Sequence, residues 1–406
     1  MREIVVTGLG PVAPNGVGKE MFWEALQEGR SGIRRISRFD PSECLSQIAG
    51  EVPPEWVEAV KPFPEEKRGW STHMVITAAH LALEDAGISK KELATGKAGI
   101  FLGISSSDME LGEKEYALFQ QSGSPNPHVI SSSFPHAAAH EVASEFKCPG
   151  QVVTVSSGCT SGLLSIIHAA EAILGGEIEI ALAGGGDAPL TSFVISCLCS
   201  AGLHPTSFND HPEAASRPFD AQRDGGVASE GAGMVVIESA ERACLRGKRA
   251  YVRIGGWGIA NAYSPLTVHS SFVSSMTGAL QKAKLSPKMI DYICAHAPGI
   301  KFTDKIETEA VKKVFGRHAY NLPISSIKSM IGNPLAAAGP LQVIATSLAI
   351  ENRYIPPTIN YDYPDPHCDL DYVPNKGRVA RVKRALVNVL GFGGSIVSMV
   401  CTEQGA

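Results

Sequence analysis

The sequence predicts an α/β fold on a buried, mostly parallel sheet, and three observations carry that prediction. Short apolar runs of strand-forming residues alternate with longer helical patterns. The same alternation starts again beyond residue 250. Several of the runs end in glycine-rich turns that hold a chemically active side chain.

In chain order, Ile4–Thr7, Ala98–Leu102, Val152–Val155, Ile180–Ala183 and Gly233–Ile237 read as strands. Lys19–Leu26, His73–Ala86 and Ser161–Leu174 carry the apolar spacing of helices. The second series has strands at Tyr251–Gly255, Met289–Ala295, Ala385–Leu390 and Ser395–Thr402, with helices at Ser271–Ala283, Ile306–Phe315 and Ala337–Glu351. A strand from Ile324 to Lys328, a turn at Gly332 and the helix from Ala337 repeat, in weaker form, the pattern around residue 159. The chain is therefore read as two similar halves, 1–250 and 251–406, with a groove between them. The long Gly/Pro/Asp-rich connection over 203–232 is expected to be functional or pinned by its own charges.

With 406 residues, 44% hydrophobic and 19% charged, the chain can bury an extensive core. A net charge of −5 gives no reason to expect nucleic acid or an anionic membrane as partner. No apolar run reaches the roughly 20 residues of a membrane span. The nine cysteines are odd in number and irregular in spacing, without a C-x-x-C pair, so neither a disulfide framework nor a zinc site is expected. The start passes directly into Glu3-Ile4-Val5-Val6-Thr7 with no leader pattern, and a reducing cytoplasm fits.

The most informative stretch is Val152–Gly162, where strand-forming residues run into Ser156-Ser157-Gly158-Cys159 and a helical pattern follows. That order puts the Cys159 sulfur at a helix N-terminus, where unpaired N–H groups and the helix dipole favour thiolate. A nucleophilic cysteine that takes an acyl group as a thioester is one reading, and a small buried cysteine in a strand-helix turn is the other. Three more loops tip the balance. Cys294-Ala295-His296-Ala297-Pro298-Gly299 offers an imidazole, and Lys328-Ser329-Met330-Ile331-Gly332-Asn333 offers an amide donor. Asn388–Ser395, with Gly391-Phe392-Gly393-Gly394, can turn backbone N–H groups into a cavity. Together they supply a nucleophile, a neutral donor, an amide and an oxyanion hole, the parts for acyl transfer followed by attack of a carbanion.

Other patterns are set aside. Gly8-Leu9-Gly10-Pro11-Val12-Ala13 matches a dinucleotide fingerprint, but Pro11 and Pro14 would break the helix that must receive a pyrophosphate. His136 and His140 lack the glutamate and third ligand of a zinc motif, so no metal site is expected there. Cys197 and Cys199 read as core or pocket lining. His168 falls on the helix face opposite Cys159. The run Lys305, Glu307, Glu309, Lys312, Lys313 reads as a solvated helix face.

Over its full length the chain resembles the elongating β-ketoacyl-acyl carrier protein synthases. The resemblance rests on Val5-Val6-Thr7-Gly8-Leu9-Gly10, Ala215-Ser216-Arg217-Pro218-Phe219-Asp220, Arg223-Asp224-Gly225, Gly231-Ala232-Gly233-Met234, Asp304-Lys305-x-Glu307, Lys328-Ser329-Met330, Pro356-Pro357-Thr358-Ile359-Asn360 and Gly391-Phe392-Gly393-Gly394. It implies a thiolase-like fold, two related halves in a five-layered α-β-α-β-α architecture, and a homodimer, with a heterodimer of related ketosynthases as the alternative. It implies no bound cofactor, with substrates carried on the phosphopantetheine arm of acyl carrier protein.

By the same resemblance, Cys159 is the acyl-accepting nucleophile and His296 the first catalytic histidine. Lys328 holds the polar network, and the N–H groups of Cys159 and Phe392 form the oxyanion hole. Phe392 is the gate; Gly393, Gly394, Pro298 and Ile300 contact substrate; Met109, Glu110, Cys197, Leu198 and residues 130–140 fall where the acyl pocket lies. Three positions depart from the family pattern. Asn333 stands where it has a second histidine, and Ala297-Pro298-Gly299-Ile300 stands where hydroxyls hold the arm. Gln342 stands where it has a glutamate. Decarboxylative condensation is the first expectation. Acyl transfer or hydrolysis without extension, and a non-catalytic partner subunit, are the alternatives.

Overall fold

The computed structural model describes residues 3–60 and 69–405. An 11-stranded sheet has ten strands along its main path, Gly16–Val17 pairing beside the first: β1 (Ile4–Ala13), β2 (Ala98–Gly103), β3 (Gln151–Val155), β4 (Ile180–Asp187), β5 (Gly231–Ser239), β6 (Val252–Asn261), β7 (Tyr292–Cys294), β8 (Ile324–Ser325), β9 (Arg384–Leu390) and β10 (Ser395–Thr402). Their spatial order is β8-β7-β9-β10-β6-β1-β5-β4-β2-β3. The sets β3-β2-β4-β5-β1 and β8-β7-β9-β10-β6 thus repeat one internal order. They meet where β1 pairs antiparallel with β6, Val5 opposite Arg253 and Val6 opposite Val252.

The expectation of a mostly parallel sheet is corrected. Only β3-β2-β4 and β8-β7-β9 run parallel; the pairs β4–β5, β5–β1, β9–β10 and β10–β6 are antiparallel. The reason is connectivity. A short glycine turn joins β9 to β10, and a hairpin cannot place parallel neighbours. In the first set the 203–232 connection returns the chain in the opposite direction. That connection is pinned as expected: Arg217 Nε donates to Asp220 at 2.9 Å, and buried Arg223 lies 2.7 Å from Asp365 and 3.4 Å from Asp304.

Helices cover both faces of each set. Besides α1 (Lys19–Glu28), they are α2 (Trp70–Ala86), α3 (Pro135–Phe146), α4 (Ser161–Leu174), α5 (Val268–Ala283), α6 (Lys301–Phe315) and α7 (Ala338–Asn352). On one outside, α2 and α3 pack on the first set; on the other, α5 packs on β6 and β10 with α6 beside it. Helices α4 and α7 lie between the sets and touch each other. The strands feed both sides by alternation. Val235 and Ile237 join the central cluster while Met234 and Val236 join the outer one; in the second set Val387 faces inward and Leu386 outward. Every residue of α7 from Ala338 to Ile350 is buried, as a helix sandwiched between two sheet faces requires.

The dinucleotide-like glycines have a packing role. A Cβ on Gly8 would stand 2.1 Å from the Ala82 carbonyl oxygen of α2, and one on Gly10 1.9 Å from that of Ala78. In the second set a Cβ on Gly258 would stand 2.0 Å from the Ser275 carbonyl of α5. In each set these glycines let an outer helix press onto its sheet. Since β1 continues as strand through Ala13 and α1 starts only at Lys19, no helix begins at these glycines to receive a nucleotide. The expected strand over Met289–Ala295 is shorter, because Pro287–Met289 forms a turn of 3-10 helix.

Candidate active site

Strand β3 ends at Val155, Gly158 takes φ 61°, and α4 begins at Ser161 with Thr160 as its N-cap, so Cys159 stands just ahead of that helix's first turn. A Cβ on Gly158 would lie 3.0 Å from both the backbone N and O of Phe392, which presses the Gly391–Gly394 turn directly onto the cysteine loop. Gly393 and Gly394 hold that turn at φ 93° and 91°. The Phe392 N–H points at the Cys159 sulfur, while the Phe392 ring is 55% exposed.

From the second set comes Asn333, whose Nδ2 donates toward Cys159 Sγ at 3.8 Å. Its backbone is clamped on both sides: Asn333 N donates to Val227 O at 2.7 Å and Ser229 N to Asn333 O at 3.2 Å. Its Oδ1 is buried and has no partner among the described residues.

His296 follows β7 and is 4% exposed. The Glu307 carboxylate of α6 accepts from His296 N at 3.0 Å and Ala297 N at 2.9 Å. Lys328 Nζ donates to the His296 carbonyl at 2.7 Å. Burial, and then the Lys328 charge, push His296 well below its ordinary value, so its imidazole is neutral. Its Nδ1 has no partner among the described residues. Pro298 is buried against Gly226, and Ile300, half-buried, caps α6.

Lys328 is 1% exposed, with His296 O and Gln342 Oε1 (3.3 Å) as its hydrogen-bond acceptors. Burial pulls its pKa down, and the Cys294, Cys159, Glu307 and Asp304 groups around it oppose that pull.

Two readings are corrected. The helix N-terminus does not give Cys159 a low pKa: burial pushes the thiol up, against the pull of Lys328, the Asn333 amide and the Phe392 N–H. A sulfur 2% exposed loses more hydration than one helix turn returns. Glu307 does not face solvent. It is 2% exposed and also accepts from Asn388 Nδ2 at 3.0 Å. The signal was available, since Asp304, Glu307, Thr308, Val311 and Phe315 are spaced as one buried stripe of α6. Lys305 and Glu309 do form the expected i,i+4 pair. His136 and His140 are exposed, and no metal-holding group of His, Cys, Asp and Glu occurs among the described residues.

Sequence reasoning also missed Asp187. This buried carboxylate ends β4 and accepts from the backbone N–H of Ser105, Ser106 and Ser107, and from Ala336 N at 2.9 Å. Burial raises it to about 6. An acid closing the otherwise apolar and glycine run of 180–187 was its signal.

The Beta-ketoacyl synthase, N-terminal domain family matches residues 1–243, and the Beta-ketoacyl synthase, C-terminal domain family matches residues 253–362. The chain belongs to the β-ketoacyl synthase family. It is 38% identical to the putative polyketide beta-ketoacyl synthase 1 of Streptomyces halstedii, covering 99% of this chain and 98% of that protein. It is 36% identical to the 3-oxoacyl-[acyl-carrier-protein] synthase 2 of Coxiella burnetii, covering 99% of each. Among solved structures, the ishigamide ketosynthase/chain length factor superposes with a TM-score of 0.93 at 30% identity over 100% of both chains. The fold is the α/β thiolase-like fold of the ketosynthases, and the chain is an acyltransferase, a condensing enzyme of polyketide or fatty acid biosynthesis. No helix among the described residues is long and apolar enough to cross a membrane.

Proposed function

We propose that Cys159 carries the growing acyl chain and that His296 and Asn333 serve the condensation step. The thiolate of Cys159 attacks the carbonyl of an acyl thioester borne by acyl carrier protein. The N–H groups of Cys159 and Phe392 hold the oxyanion, the carbon–sulfur bond to the carrier's arm breaks, and the phosphopantetheine sulfur leaves as thiolate. A malonyl-type thioester then loses CO2. Neutral His296 and the Asn333 amide donate to the oxygen of the resulting enolate, whose carbon attacks the acyl group on Cys159. A carbon–carbon bond forms, the carbon–sulfur bond breaks, and the cysteine returns as thiolate. Lys328 and Glu307 grip the His296 backbone from opposite ends.

The observation that carries this reading is the meeting of the Asn333 amide and the Phe392 N–H at the Cys159 sulfur. In this proposal asparagine replaces the second histidine of the elongating family without abolishing decarboxylation, because the step needs a donor and not a proton. The test is product mass spectrometry after mixing the protein with an acyl-carrier thioester and malonyl-carrier protein. A β-ketoacyl product two carbons longer is expected, as one malonyl-derived unit adds. Acylated Cys159 without extension would instead make the chain a transacylase, and Asn333→His should then create condensation.

The proposed assembly is a dimer, of this chain with itself or with a chain-length-factor-like relative. The helix Met109–Ser122 supports it, having no buried residue and exposing Tyr116, Leu118 and Phe119. The carrier's arm would enter past Pro298, Ile300, Gly393 and Gly394.

A further inference from the structure

Gln342 lies in α7, 1% exposed, and its amide touches both strands that deliver the site. Its Nε2 donates to Ala295 O at 2.8 Å, Asn388 O at 3.1 Å and Cys294 O at 3.2 Å. Its Oε1 accepts from Lys328 Nζ at 3.3 Å. Cys294 and Ala295 lead into His296, and Asn388 leads into the Phe392 turn. The orientation is dictated by its surroundings. Turned over, the amide oxygen would face three carbonyl oxygens and its NH2 an ammonium. A carboxylate here would meet the same carbonyls.

The second part of the argument is electrostatic. Besides Lys328, the charged group acting on Cys159 is the Asp187 carboxylate, while His296, also under the Lys328 charge, is held neutral. The groups around Lys328 are the Cys159 and Cys294 thiols and the Glu307 and Asp304 carboxylates. Glu307 spends its oxygens on His296 N, Ala297 N and Asn388. The ammonium therefore has a neutral amide and a carbonyl as its hydrogen-bond acceptors; Glu307 and Asp304 act on it from farther away, and among the described residues no carboxylate pairs with it directly.

We infer that Gln342 is a positioning residue that ties the His296 strand to the Phe392 strand and, by being neutral, leaves the Lys328 charge acting on Cys159 and His296. The inference rests on the proposed function only in taking Cys159 as the nucleophile. Burial still sets the net direction at the thiol; Lys328 is the largest counterweight.

Two variants separate tie from charge. In Gln342→Glu a carboxylate pairs with Lys328. The midpoint of the pH profile for iodoacetamide alkylation of Cys159 should rise by about half to one unit, since a cancelled neighbouring charge acts directly on thiol ionisation. In Gln342→Met the charge stays uncancelled but the strands lose their tie. The alkylation midpoint should hold within a few tenths of a unit while acyl loading falls by about tenfold, the loss expected when oxyanion donors shift. A purely structural role would lower loading or melting temperature in both variants and leave both midpoints alone; that result, or equal midpoint shifts in both, overturns the inference. Should Gln342→Glu fail to fold, Gln342→Met decides alone, and loading at the unsubstituted level overturns it. Alkylation needs no turnover, so a failure of the condensation reading leaves this test intact.

Discussion

After β3 the chain needs only Ser156–Thr160 before α4 begins, and Cys159 sits inside that short turn. After β8, at the equivalent place in the second set, the chain takes a detour through the short helix Lys328–Ile331, Gly332 at φ 70° and the turn Leu335–Ala337 before entering α7. One frame thus holds two loops of different length. The short one fixes a sulfur at a helix end with little freedom. The longer one has room to send a lysine beneath the site and an amide across to the sulfur. Asp187 ties the longer loop to the first set, taking N–H donors from the Ser105–Ser107 turn after β2 and from Ala336.

The largest expected effect breaks the short loop's chemistry. Cys159→Ala should abolish acyl loading, a loss of at least about 10³-fold, read as the missing acyl-enzyme mass shift. An unchanged mass shift in that variant would remove the proposed mechanism. Next comes the long loop: Asn333→Leu should cut condensation by about 10²-fold, the size seen when one oxyanion donor is lost, and leave loading within about threefold. Equal losses in both steps would mean that the amide serves the sulfur and not the enolate.

Two smaller effects sharpen the comparison. Gly158→Ala and Gly332→Ala each force a side chain into left-handed backbone. The added Cβ would stand 3.0 Å from Phe392 backbone in the first and 2.9 Å from Val227 O in the second. Each should lower unfolding free energy by about 1–3 kcal/mol in denaturant titration. A much milder result at Gly332 would show that the longer loop relaxes where the short one cannot.

The smallest effect concerns Asp187. Its folded value of about 6 lies above the ordinary carboxylate range, so the folded state holds the proton more tightly. Its contribution to stability is therefore fully present below about pH 4 and fades as pH rises through 6, by on the order of 1–3 kcal/mol. Thermal melts should show the protein losing stability relative to Asp187→Asn across that window, and a constant difference would contradict it.

Much of this was legible in the chain. The helix Ser161–Leu174 and strand Ser395–Thr402 coincide with their apolar patterns, and the glycine loops flagged Cys159, His296, Asn333 and Phe392. Strand direction was not legible, because an apolar run reads the same whether its neighbours are parallel or antiparallel. The ionisation of Cys159 was misread because local sequence shows a helix end but not the depth at which it is buried. Glu307 was misread because its charge was weighed ahead of its place on the α6 stripe. The reach of Gln342 across two strands has no local signature.

The ladder between β1 and β6 has a dynamic consequence. Many two-lobed enzymes open and shut about a flexible seam, but here the seam is a short antiparallel pairing within one continuous sheet, flanked by α4 and α7 packed against each other. Parting the lobes would tear the sheet and empty the central core at once. Under the proposed mechanism, acyl groups would reach Cys159 by small, local swings such as that of half-exposed Phe392, with a few residues moving against a rigid body.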